Sequence, residues 1–117
     1  MFRTRPDLLV RRNGKVVAII DTKWKRLSAD PLDPKHGLKE ADVYQMMAYA
    51  RIYECGRLML LYPASPGAPS GEVRRFGVHG GREMIKLARI DPSLPISEMA
   101  SELAGMVRGM LETAAAS

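Results

Sequence analysis

Two short apolar runs open the pattern, Asp7-Leu8-Leu9-Val10-Arg11-Arg12 and Lys15-Val16-Val17-Ala18-Ile19-Ile20, and Asn13-Gly14 separates them. β-branched runs around Asn-Gly predict two antiparallel strands joined as a hairpin. Residues 26 to 38 carry Pro31, Pro34 and Gly37 and read as a loop. Leu38 to Cys55 then runs without Gly or Pro up to Gly56, as a helix with a glycine stop would. This helix is apolar over most of its surface, which predicts that it is largely buried. Arg57-Leu58-Met59-Leu60-Leu61-Tyr62, ended by Pro63, predicts a strand buried on both faces that follows the helix as in a βαβ unit. Ala64 to Gly71 reads as a loop, and Glu72 to Val78 and Glu83 to Ile90 as further strands. Pro95 opens a last helix whose Ile96, Met99, Ala100, Leu103, Met106, Val107, Met110 and Leu111 follow helical spacing, a stripe for the core or for a partner. The sum is an α/β class, a mixed central sheet flanked by helices. It is expected as a single domain over 1–117, with a core over 5–63 and C-terminal strands and helix over 72–114.

Composition narrows the partners. The chain has 117 residues, 46% hydrophobic and 26% charged, and no apolar run approaches the ~18 residues of a membrane helix. Its first residues are polar and lead straight into a strand, so no signal peptide is expected and the protein is expected in the cytoplasm. Cys55 stands alone, which excludes an internal disulfide and any cysteine-rich zinc or iron–sulfur site; it is expected as a buried helix residue. His36 and His79 have no partner spacing and read as surface residues. The net charge is +5, and residues 1 to 57 hold 12 Lys and Arg against 7 Asp and Glu while the remainder holds 6 against 6. The excess therefore lies in the first half. Arg11, Arg12 and Lys15, and again Lys23, Lys25 and Arg26, form clusters suited to a polyanion such as DNA.

The stretch Val17 to Lys25, V-A-I-I-D-T-K-W-K, closes its strand with charge where more core would be expected. Alternation puts Asp21 and Lys23 on one face, roughly 6 to 7 Å apart. Arg5-Pro6-Asp7 opens the preceding strand, and Gln45 and Tyr49, four apart, share a helix face with Asp42. Pro-Asp, then Asp-x-Lys, then Gln-x-x-x-Tyr resembles the PD-(D/E)XK nuclease signature. The run from Arg5 to Lys25, with A-D-V-Y-Q-M-M-A-Y-A and L-L-Y-P after it, resembles the nuclease domain of the McrC family, the catalytic component of a restriction system that cuts DNA containing 5-methylcytosine. The resemblance is dense from Arg5 to Pro63 and thin afterwards.

That resemblance implies a restriction-endonuclease-like core and Mg²⁺, or Mn²⁺, held by Asp7, Asp21 and the backbone carbonyl of Thr22. A hard cation on carboxylates polarises a phosphoryl oxygen and lowers the pKa of bound water. It further implies that Lys23 positions the attacking water and offsets phosphate charge, and that Gln45 and Tyr49 orient water and the DNA backbone. A McrB-like GTPase is the implied partner. Trp24 and Tyr44 could stack on bases, with core or rim packing favoured. The chain begins almost at the hairpin, so dependence on a partner is expected. Alternatives are a RecB-type repair nuclease, which shares the Gln-x-x-x-Tyr helix, and a catalytically idle DNA-binding or assembly remnant; a Cas4-type enzyme would need a cysteine quartet.

The site constrains the turn. A plain two-residue turn at Asn13-Gly14 would pair Asp7 with Ile20 and point it away from Asp21. A three-residue loop, Arg12-Asn13-Gly14, with Gly14 in a left-handed G1-bulge position would pair Asp7 with Ile19 and restore the shared face. The three-residue loop is therefore the expectation, with positive φ at Gly14.

Overall fold

The computed structural model describes residues 5–23, 40–64, 71–77 and 82–115. Its elements are β1 (Leu8–Arg12), β2 (Lys15–Thr22), α1 (Glu40–Tyr53), β3 (Arg57–Pro63), β4 (Gly71–Gly77), β5 (Met84–Ile90) and α2 (Ile96–Ala115). The five strands form one sheet in the order β1-β2-β3-β5-β4, antiparallel at both edges and parallel through β2, β3 and β5. The mixed α/β class and the β2-α1-β3 crossover are as the sequence pattern predicts. Trp24, Lys25, Arg26, His36, His79, the loop over 26–38 and the end of the fourth strand at Val78 lie outside the described residues.

The hairpin departs from expectation. Arg12 pairs with Lys15, so the loop is the two residues Asn13 and Gly14, with φ of 52° and 79°. Positive φ at both is the type I′ geometry that matches strand twist, and Asn-Gly is its preferred pair. The three-residue loop is thus wrong, although positive φ at Gly14 is right. The parity that the loop was meant to supply comes instead from a bulge: Arg11 faces Val16 but Val10 faces Ala18, leaving Val17 as the extra residue. Val16 and Ile19, three apart, consequently pack into the same core cluster, which a regular strand of period two forbids. Beyond the bulge Leu8 faces Ile20, so the register carried one step further sets Asp7 across from Asp21. Arg57 on β3 donates Nη1 to the carbonyl of Val17 at 3.4 Å, which gives the bulged residue a partner.

β3 is the centre of the sheet, with Leu58 to Tyr62 all buried. On one face Ile19, Leu58, Leu60, Tyr62, Ile85 and Leu87 pack under Met46, Tyr49 and Ala50 of α1. On the other, Ala18, Ile20, Met59, Leu61 and Ala88 pack under Met110 of α2, flanked by Leu103, Met106 and Val107. Each fully buried side chain of this size is worth about 1.5–3 kcal/mol of transfer free energy, so a central strand buried on both faces anchors the two layers.

Both helices differ in detail from the sequence pattern. Only Met46, Tyr49 and Ala50 of α1 are buried, while Tyr44 and Ile52 are 70% and 64% exposed, so the expectation of a largely buried helix fails. One helix laid on one sheet face hides one stripe, however apolar the rest. The stop is also not Gly56: Glu54 takes the left-handed position at φ 51°, and the Cys55 N–H donates to the Ala50 carbonyl at 3.0 Å, the six-to-one bond of a Schellman motif. Cys55 is buried as expected but lies past the helix, and burial raises the pKa of its thiol. In α2 the stripe from Leu103 to Met110 reaches the core, whereas Ile96 is 82% exposed.

Candidate active site

Parallel strands place the C-terminal ends of β2 and β3 side by side under the first turns of α1. Asp21 is the next-to-last residue of β2 and is wholly buried. Lys23 follows the strand, its N–H donating to the Leu61 carbonyl of β3 at 2.8 Å, and that bond fixes the direction of its side chain. The Lys23 ammonium then meets three acceptors: Asp21 Oδ2 at 3.0 Å, Gln45 Oε1 at 2.9 Å and Asp42 Oδ1 at 3.3 Å. Asp42 and Gln45 come from α1, three apart and so on one face. Side chains separated by more than twenty positions in sequence thus close on one cation. Its side chain is 12% exposed, in a setting where charge pairs are stronger than at a surface.

Asp7 joins from β1. Its N–H donates to Asp21 Oδ1 at 3.2 Å, and its own Oδ2 accepts from the Thr22 N–H at 2.8 Å and from the Thr22 hydroxyl. The two carboxylates are therefore tied to each other's strands, Asp7 exposed and Asp21 buried. Tyr49, 2% exposed, donates its hydroxyl to the carbonyl of Arg5 at 3.1 Å, which anchors the segment that presents Asp7.

Asp7, Asp21, Thr22, Lys23, Gln45 and Tyr49 are accordingly brought into one region. The expected DNA contacts are not. Arg11, Arg12 and Lys15 are exposed around the hairpin turn, at the opposite end of β2, on the order of 25 Å from Lys23 by strand rise. Lys25 and Arg26 lie outside the described residues. Tyr44, at 70% exposure, is not packed into the core.

Two neighbours were missed in choosing site residues from sequence. Asp42 carries a legible signal, its place on the Gln45 face of α1. Tyr62 carries none, because a tyrosine in an apolar strand reads as core; its hydroxyl is buried beside the site, and burial, then the charges of Asp42 and Asp21, hold its pKa well above the ordinary value. On the other sheet face Lys86 is also buried, donating to the Met106 carbonyl of α2 at 3.4 Å.

No three His, Cys, Asp or Glu side chains among the described residues are grouped so as to hold a metal ion. Two carboxylates are nonetheless a sufficient protein share for Mg²⁺, which keeps several waters and prefers oxygen. Asp7 and Asp21 supply oxygen donors only, the hard donors such a cation takes. The donor chemistry fits a hard divalent cation. No helix of the described residues is long and apolar enough to cross a membrane.

Comparison with known proteins gives one family. No curated protein matches the chain. A family model described as McrBC 5-methylcytosine restriction system component matches residues 1–63, which span β1, β2, α1 and β3 with every site residue named above.

Proposed function

The chain belongs to the McrBC 5-methylcytosine restriction system component family, and on that basis we propose that it is a Mg²⁺-dependent DNA endonuclease domain of the PD-(D/E)XK type, the McrC-like subunit of such a system. The observation that carries the reading is the enclosure of the Lys23 ammonium by Asp21, Asp42 and Gln45, with Asp7 tied to Asp21 across the hairpin.

In this reading Asp7, Asp21 and the Thr22 carbonyl hold the cation. When bound, Mg²⁺ supplies charge neutralisation of the phosphate and a water of lowered pKa. The protein's part is positioning. Asp21 and Gln45 aim Lys23, whose charge meets the negative charge that develops on the phosphate oxygens and whose N–H groups orient the attacking water. Thr22 fixes Asp7 through two donors, and Tyr49 fixes the backbone ahead of it, so the ligand pair is held before substrate arrives. Arg11, Arg12 and Lys15 attract the DNA backbone at the far end of the hairpin and carry no part of the chemistry. A McrB-like GTPase is the partner that would deliver the domain to DNA.

A second reading, an idle DNA-binding or assembly remnant, draws on the lack of a three-ligand cluster among the described residues. Cleavage of methylated and unmethylated plasmid, with and without Mg²⁺ and the GTPase, decides between them. Mg²⁺-dependent nicking of methylated DNA is expected. Intact plasmid in the complete assembly, together with no Mn²⁺ binding by titration calorimetry, would favour the remnant.

A further inference from the structure

The three protons of the Lys23 ammonium meet three protein acceptors, Asp21, Asp42 and Gln45. A lysine so occupied reaches a phosphate oxygen or a water only by releasing a partner. Release is costly here, because Asp21 is fully buried and giving up the ammonium weakens the compensation of its charge.

A donor stands in reserve on the neighbouring strand. Asp21 pairs with Leu60 and the Lys23 N–H bonds the Leu61 carbonyl, so Tyr62 comes next along β3 and, by alternation, on the face of Leu60 and Asp21. It is 1% exposed and packs in the cluster under α1 with Met46 and Tyr49. Its hydroxyl oxygen is buried with no hydrogen-bond partner among the described residues. Burial raises its pKa most and the charges of Asp42 and Asp21 raise it further, which sets the phenol within the field of the two carboxylates. Buried hydroxyls without partners are uncommon because the loss of water is uncompensated. An orphan donor beside two carboxylates is suited to a state in which one of them has been vacated.

We propose that Tyr62 is a positioning residue: when Lys23 turns toward a substrate phosphate, the Tyr62 hydroxyl donates to the carboxylate the lysine has left, Asp42 first, so that a donor replaces the ammonium. The proton stays on the phenol oxygen throughout. The catalytic consequence rests on the nuclease reading; the exchange of donors does not.

The test is a stability cycle joined to kinetics. In the wild-type background Tyr62→Phe leaves the melting temperature unchanged or slightly raised, since it removes an unpartnered hydroxyl. In the Lys23→Met background, where the lysine is permanently absent, the same substitution lowers the melting temperature by about 4 °C or more. Equal shifts in both backgrounds overturn the proposal. So does a loss of that size from Tyr62→Phe alone, because the hydroxyl would then already have a partner. Should Lys23→Met fail to fold, Lys23→Gln replaces it, and the single substitution still decides. In the active assembly Tyr62→Phe lowers kcat about tenfold with KM for DNA unchanged. A wild-type kcat overturns the catalytic half. If the wild-type assembly cuts no DNA, the nuclease reading fails while the thermal cycle still judges the donor exchange.

Discussion

The two ends of β2 treat charge in opposite ways. At the C-terminal end Asp21 is fully buried and Lys23 nearly so, each held by named partners within 3.3 Å. At the turn end Arg11, Arg12 and Lys15 stand exposed in water. Charges of the first kind are fixed in direction and act at short range in a weakly screened setting; those of the second kind act as a field that salt weakens. The ends are nevertheless linked by geometry. A single extra residue, Val17, decides whether the carboxylate arriving on β1 joins the paired end or faces away from it.

Insertion of one alanine between Asp7 and Leu8 is therefore the severest test of that link. Leu8 to Arg12 keep their register with β2, the new residue falls across from Asp21, and Asp7 moves one step on, to the opposite face. Both core clusters are untouched, so the fold should persist while Asp7 turns away from Asp21. Cleavage should fall to background and calorimetric Mn²⁺ binding should vanish. A folded insertion variant that still binds the ion would break the link between register and site.

At the exposed end the expected change is in affinity rather than chemistry. Arg11→Ala and Arg12→Ala should each weaken DNA binding and lower the slope of log affinity against log salt by about one, with single-turnover cleavage at saturating protein unchanged. A fall in the saturated rate would mean that the turn end takes part in catalysis.

Glu54 tests the same region as scaffold. It lines a cavity of about 570 Å³ with Lys15, Val17 and Arg57, and holds a left-handed φ of 51°. Glu54→Gly should stabilise the fold by about 0.5–1 kcal/mol in denaturant titration, since glycine carries no Cβ penalty there. Unchanged stability would indicate that the Glu54 side chain contributes what its backbone loses.

Asp91 supplies the mildest case, a carboxylate bonded by local donors. Its Oδ1 accepts from the Ser93 N–H at 2.9 Å and hydroxyl at 2.6 Å, and these bonds lower its pKa from the ordinary 3.8. A depressed folded pKa contributes stability that is present above 3.8 and lost as pH falls through the lower folded value. Asp91→Ala should thus cost a little stability at neutral pH and none in strong acid, measured by melting temperature against pH. A penalty independent of pH would assign the effect to packing.

The hairpin, the βαβ crossover and the doubly buried β3 were legible because each depends on local pattern: Asn-Gly, a helix free of Gly and Pro, an unbroken apolar run. The site residues were legible as types and faces, since alternation alone puts Asp21 with Lys23 and helical spacing puts Asp42 with Gln45. What failed was information that resides in contacts. A classic bulge at Val17 has no residue signature comparable to glycine at a G1 position, and it is supported from β3 by Arg57, forty positions away. The stop at Glu54 likewise follows from the start of β3 and the burial of Cys55, which override the nearby Gly56. Tyr62 could not be told from core because its importance lies in a hydroxyl whose neighbours come from two other elements.

Lys23→Ala decides whether the paired end of β2 is an active site. The experiment joins single-turnover cleavage of methylated DNA in the active assembly with salt-dependent DNA affinity and Mn²⁺ titration. Cleavage should drop by on the order of 10²-fold or more, with the ion still bound and DNA affinity little changed, because Lys23 faces Asp21, Asp42 and Gln45 rather than the exposed cations of the turn. Cleavage at the wild-type rate, with DNA affinity and its salt slope reduced by one ion's worth, would contradict the account and make Lys23 one more phosphate contact.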